Sequence, residues 1–179
     1  MERTLKSKTI YKGSIVNLRV DAVELPGGRK TRREVVEHGG SVAIVAIDSE
    51  DRVLLVRQFR SPVGRMLLEI PAGTIEPGEE PIECALRELE EETGYVAREW
   101  QHLGGFYSSP GFCTEYLHLF SATELRPGRP VAEAIELVPT PLSQTPELIS
   151  SGEICDAKSI AGLLWVLSAQ AEIAEVKGE

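Results

Sequence analysis

The chain has little of what builds covalent or zinc-stapled scaffolds. Its 179 residues include three cysteines, Cys84, Cys113 and Cys155. They are odd in number and far apart, and no CxxC occurs. This argues against a disulfide framework and a zinc site, and it fits a reducing, cytoplasmic setting. No apolar run approaches the ~20 residues that span a bilayer. The N-terminal MERTLKSKTIYKG lacks the apolar core of a signal peptide. Internal repeats and low-complexity tracts are also missing. Basic residues are outnumbered, 19 Lys and Arg against 28 Asp and Glu, for a formal charge of −9. A general nucleic-acid binder needs a basic face that such a chain does not supply. A small-molecule partner is expected, with neither nucleic acid nor membrane.

What is present is an ordinary apolar content, 42%, enough for one domain with a sizeable core and short for two. Segments within Ile10 to Leu25 alternate in the manner of strands. Pro26-Gly27-Gly28 then marks a turn, and Arg33 to Glu37 resumes the extended pattern, so an N-terminal hairpin is expected. The apolar run Ser41 to Ile47 reads as a buried strand. Further strands are expected over Arg52 to Phe59, Met66 to Ile70, Trp100 to Tyr107, Glu115 to Ala122 and Ala134 to Val138. Arg126 to Pro130 reads as a loop. A helix is expected after Pro81, a residue suited to the first helical position. Ile82, Ala85, Leu86 and Leu89 follow at helical spacing, and Gly94 ends it. Two more helices are expected, over Leu142 to Ser151 and Ala157 to Ala174. Strands mixed irregularly with a few helices indicate an α+β fold.

The chemistry concentrates in Gly73 to Tyr95, GTIEPGEEPIECALRELEEETGY. Glu88, Glu91 and Glu92 fall at i, i+3 and i+4, and so share one helix face. Their repulsion calls for a cation, and Mg²⁺ or Mn²⁺ takes carboxylate and backbone oxygens. Glu79, in the loop before the helix, is placed to pair with Arg87. An ExxEE stripe alone is usually a solvated surface. The full pattern, however, fixes the residue at seven positions with set spacings, with a chance probability on the order of one in a million.

This stretch resembles the defining motif of the Nudix hydrolases at every fixed position. The resemblance implies the αβα sandwich of that family and hydrolysis of a nucleoside diphosphate linked to another group. It also implies a metal site of Glu88 and Glu92, joined by Glu91 and the Ala72 carbonyl. Outside the motif, Pro110 lies fifteen residues beyond Tyr95. Together with Val56 to Arg60, Leu68 to Gly73, Tyr11 to Gly13 and Arg33 to His38, it is similar to the ADP-ribose pyrophosphatase branch. That likeness assigns Arg60 to a phosphate or the terminal ribose, and Arg33 with Glu34 to the nucleoside end. Ser109, Pro110, Gly111 and Glu115 would shape the other ribose pocket, with His38 nearby.

One position departs from the branch. Where many members read Glu-x-Glu-x-Ile, this chain has Val131-Ala132-Glu133-Ala134-Ile135. The general base is then either Glu133 or Glu91, and Glu133 is also a candidate metal ligand. The substrate expected is ADP-ribose, cleaved to AMP and ribose 5-phosphate. The alternatives are another nucleotide sugar (UDP- or GDP-linked), NADH or a diadenosine polyphosphate, and a sensor that binds ADP-ribose without cleaving it. The resemblance also implies a homodimer, built through a β extension over residues 1–40, with the Nudix domain over 41–179. Ile160, Leu163, Leu164, Val166 and Leu167 are apolar positions of the last helix, for core or interface.

Overall fold

Gly27 and Gly28 both adopt positive φ, 94° and 83°, so the chain reverses where a side chain would be strained. The reversal joins β2 (Val16–Glu24) to β3 (Lys30–His38) in an antiparallel hairpin, registered from Val16 opposite His38 to Glu24 opposite Lys30. A further strand, β1 (Arg3–Lys12), adds to the free edge of β2. All ten of its residues are exposed. It buries no face, so no apolar alternation marks it in the sequence.

The computed structural model describes residues 1–129 and 135–177, with side chains of the last helix described as far as residue 172. Two compact units are present. The first comprises Met1–Gly40 and Phe106–Leu117, the second Ser41–Gly105 and His118–Glu179. In the first, the loop after Tyr107 is fastened to β3. Val36 N–H donates to the Phe112 carbonyl at 2.8 Å, and Thr114 N–H donates to the Val36 carbonyl at 3.0 Å.

In the second unit, β4 (Ser41–Ala46) is buried along its whole length. Val42, Ile44 and Ala46 pack with Cys84, Ala85 and Leu89 of helix α1 (Pro81–Thr93). Val45, of opposite parity, meets helix α3 (Ala157–Lys177) at Gly162, where a Cβ would lie 3.1 Å from Val45 Cγ2. With a helix on each face, β4 reads as a continuous apolar run. The layers are those of an αβα sandwich. One sheet has the order β7 (Ala72–Thr74), β4, β9 (Tyr116–Pro127), β8 (Tyr95–Tyr107). The other has the order β10 (Glu136–Pro141), β5 (Arg52–Arg60), β6 (Arg65–Glu69).

Several boundaries differ from expectation. β8 begins at Tyr95, not Trp100, and β9 runs on to Pro127. Gly128 N–H donates to the Gly94 carbonyl at 2.7 Å, so backbone pairing persists to the end of α1. The last strand is Glu136–Pro141, starting two residues and ending three residues later than Ala134 to Val138, because all six of its residues pair with β5; Ala134 lies outside the described residues. The helix expected from Leu142 is a 3-10 turn, Leu142–Gln144, followed by α2 (Thr145–Ser151), whose Pro146 occupies its first turn. Among the described residues, no helix is long and apolar enough to cross a membrane.

Candidate active site

Helix α1 carries the acidic stripe, and both of its ends are locally specified. Glu80 N–H donates to the Glu83 carboxylate at 3.1 Å, satisfying a donor ahead of the first turn. Gly94 takes the left-handed conformation (φ 72°), and its N–H donates to the Glu90 carbonyl. Cys84, Ala85 and Leu89 face the core, which directs Glu88 and Glu92 toward the β7 end of the sheet.

Glu92 is buried at 7% exposure. One carboxylate oxygen accepts the Ala72 N–H at 2.9 Å, and the other accepts Gln58 Nε2 at 3.2 Å. Glu88 presses against Gly73, where a Cβ would fall 1.9 Å from its carboxyl carbon. No residue other than glycine fits there while Glu88 keeps its place. Burial raises the Glu88 pKa, against the Arg87 hydrogen bond. Burial likewise raises that of Glu92, against the Ala72 N–H and Gln58. Each also feels a neighbouring carboxylate, Glu91 and Glu79 for Glu88, and Glu88 for Glu92.

Arg87 is the hub of the loop–helix junction. Its Nε donates to Glu79 Oε1 at 2.9 Å and its Nη2 to Glu79 Oε2 at 3.1 Å. Nη1 donates to Glu88 at 2.6 Å and lies 3.3 Å from Glu91, while Nη2 reaches the Thr74 carbonyl at 3.3 Å. The arginine, helped by the Glu76 N–H, pulls the Glu79 pKa down to about 2. Beside it, burial pushes the Cys84 thiol up to about 12, which leaves it unreactive.

Among the described residues, no three acidic, histidine or cysteine side chains converge as a closed metal cage. Glu88 and Glu91 are turned to Arg87, and Glu92 to Ala72 and Gln58. The donor chemistry nonetheless fits a hard divalent cation. Two desolvated carboxylates, each destabilised by like charge, gain most from an ion that takes oxygen ligands.

A second charged network lies on β5, β6 and the start of α3. Arg60 donates to both oxygens of Glu69, Nε at 2.9 Å and Nη2 at 2.6 Å. Lys158 also donates to Glu69, and to Asp156 at 2.7 Å. Ser159 Oγ accepts the Ile70 N–H at 2.9 Å. The Pro71 carbonyl accepts Ile44 N–H at 2.9 Å. The segment from Glu69 to Ala72 is thus held at every residue.

Residues 37–166 match the family described as "NUDIX domain", and residues 2–36 match "Nucleoside diphosphate sugar hydrolase N-terminal domain". The chain belongs to the Nudix family. Over 170 residues it is 41% identical to the "ADP-ribose pyrophosphatase" of Bacillus subtilis, covering 92% of each chain. It is 39% identical to the "Methanol dehydrogenase activator" of Bacillus methanolicus, again with 92% of each covered. A solved "ADP compounds hydrolase" shares the fold, with a TM-score of 0.85 at 22% identity, over 96% of this chain and 95% of that one.

The residues of the Nudix motif, with Arg60, come together in the second unit. Ala72, Glu79, Arg87, Glu88, Glu91 and Glu92 are all there; Glu133, with Val131, lies outside the described residues. The seven other substrate candidates belong to the first unit. Arg33 pairs with Glu2 at 2.6 Å, and Glu34 is exposed. His38 is nearly enclosed. Its Nδ1 accepts the Gly40 N–H at 3.1 Å and stands 3.8 Å from Glu115. The Ser109 carbonyl accepts Phe112 and Cys113 N–H, so Pro110 and Gly111 form an exposed turn tip. Gln58, Glu69, Lys158 and Ser159 were not expected. Gln58 and Arg60 alternate on one face of β5, a period-2 signal that could have pointed to the first. Lys158 and Ser159 meet β6 across 89 residues of chain, and nothing local marks them.

Proposed function

We propose that this Nudix enzyme hydrolyses ADP-ribose to AMP and ribose 5-phosphate. The observation that carries the reading is the desolvated pair Glu88 and Glu92, set beside the Ala72–Gly73 backbone. Nudix hydrolases depend on a divalent cation; Mg²⁺ or Mn²⁺ is proposed, held by Glu88, Glu92, Glu91 and the Ala72 carbonyl. When bound, the cation neutralises the pyrophosphate and lowers the pKa of water. Glu91 or Glu133 takes the water's proton as its oxygen attacks phosphorus. The bridging P–O bond breaks, leaving one phosphate on each product. Arg60 holds phosphate oxygens, for which its planar fork is suited. Arg33, Glu34 and His38, with the Ser109–Gly111 turn and Glu115, contact the nucleoside and ribose ends. The name of the Bacillus subtilis relative supports the substrate.

The description matched by residues 2–36 also favours nucleoside diphosphate sugars as a class. The test is therefore the purified enzyme with Mg²⁺ and a panel of ADP-ribose, GDP- and UDP-sugars, NADH and diadenosine polyphosphates, with products identified by ³¹P NMR. ADP-ribose is expected to turn over fastest, giving equimolar AMP and ribose 5-phosphate. Turnover of another member without ADP-ribose hydrolysis would reject the substrate. A homodimer through the N-terminal strands is also proposed. The exposed Leu5, Ile10 and Tyr11 of β1 support it, and sedimentation measures it. Three free thiols suit a reducing cytoplasm.

A further inference from the structure

We propose that Lys158 is a standing counter-ion for Glu69, and that it leaves Arg60 free to transfer to the substrate's phosphate. The inference rests on the reading that Arg60 binds phosphate. Glu69 is 1% exposed, and it carries two cations on one carboxylate. A buried carboxylate with a single partner cannot release it without leaving an uncompensated charge. With two partners, one can leave.

The two cations are not equivalent. Arg60 is 36% exposed and Lys158 15%. Lys158 is held at a second point by Asp156, which also accepts the Ser159 N–H at 3.1 Å and so caps α3. Lys158 is therefore fixed to the helix start, while Arg60 opens toward solvent. Arg60 stands two residues beyond Gln58 on the same face of β5, about 7 Å along the strand. Gln58 donates to Glu92, so Arg60 borders the motif carboxylates, and its guanidinium feels the Glu92 charge. On binding, the guanidinium exchanges one bidentate oxygen pair for another. Lys158 stays behind it, shared between Glu69 and Asp156, and the N-terminal turn of α3 offsets the negative charge that remains. Without Lys158, Arg60 becomes the sole cation on Glu69, and the substrate must compete with a buried carboxylate for it.

The test is binding of the α,β-methylene analogue of ADP-ribose by calorimetry, with kcat and KM for ADP-ribose, on intact protein checked by thermal melting. K158M is expected to raise both Kd and KM by about tenfold or more, with kcat little changed. K158R keeps the cation and is expected to match wild type. E69Q/K158M removes the competing charge, and its affinity is expected to recover to within about threefold of wild type. Wild-type affinity in K158M, or a double variant as weak as K158M, would overturn the counter-ion role. Where K158M does not fold, E69Q carries the test: it frees Arg60 and is expected to bind at least as tightly as wild type, and a tenfold loss overturns the idea. R60A separates this inference from the reading beneath it. It is expected to weaken binding, and wild-type affinity in R60A removes Arg60 from the phosphate and the inference with it.

Discussion

Glu92 accepts the Ala72 backbone N–H at 2.9 Å, twenty residues back along the chain. One carboxylate thus fixes both a helix face and the strand end beside it. The same strand end is tied to α3 through Ile70 and Ser159 and to β4 through Pro71. The backbone proposed to face a metal is positioned by three separate elements before any ion arrives, which is the preorganisation an active site requires.

Replacing Glu92 with Gln separates positioning from charge. The amide oxygen still accepts the Ala72 N–H, so the melting temperature is expected to stay within about 4 °C of wild type. The charge is lost, so kcat is expected to fall by about 100-fold or more. A kcat near wild type would remove Glu92 from the metal site.

Gly73→Ala is expected to injure activity more than stability. The new Cβ would meet the Glu88 carboxyl group at 1.9 Å. That group ends a flexible side chain, so Glu88 rotates away and the backbone stays. A loss of about 100-fold in kcat with a small melting shift is expected. A crystal structure of the variant showing Glu88 unmoved would refute the steric account.

The motif was legible because its constraints are local. Pro81, the apolar positions and Gly94 specify one helix, and helical spacing alone puts Glu88 and Glu92 together. β4 was legible for the same kind of reason, since burial on both faces writes a continuous apolar run. β1 was not, because an edge strand exposed on every residue leaves no pattern. Nor were the partners of Glu69. The β5–β6 register sets Val56, not Arg60, opposite Glu69, so Arg60 reaches it only by extending its side chain along the hairpin, and Lys158 meets it through the packing of α3.

Divalent cation and proton should compete for the same carboxylates. Burial raises the pKa of Glu88 and Glu92. Between the ordinary value and the raised one, the folded state holds more protons than the unfolded state. Metal-free stability therefore falls as pH rises through that range. A bound cation replaces the protons. At about 100 times its Kd, Mg²⁺ is expected to raise the melting temperature by about 5–10 °C at pH 7.5, and by clearly less at pH 5. E88Q/E92Q should lose the gain. Thermal melts in chelator and in Mg²⁺ decide this, and an equal gain at both pH values would count against the shared site.

Glu79 has the opposite sign. Arg87 and the Glu76 N–H hold its pKa at about 2 in the folded state. The unfolded state protonates first as pH falls, so the stabilisation is complete above the ordinary carboxylate value and disappears as pH drops toward about 2. Glu79→Gln lacks this contribution at every pH. The gap between wild-type and E79Q melting temperatures is therefore expected to be widest above pH 5 and to close on acidification. The substitution also loosens Arg87, which ties Glu88, Glu91 and the Thr74 carbonyl. A fall in kcat of about tenfold or more is expected at neutral pH. A melting gap that stays constant down to the lowest accessible pH would show that the charge of Glu79 is not the source of the stability difference.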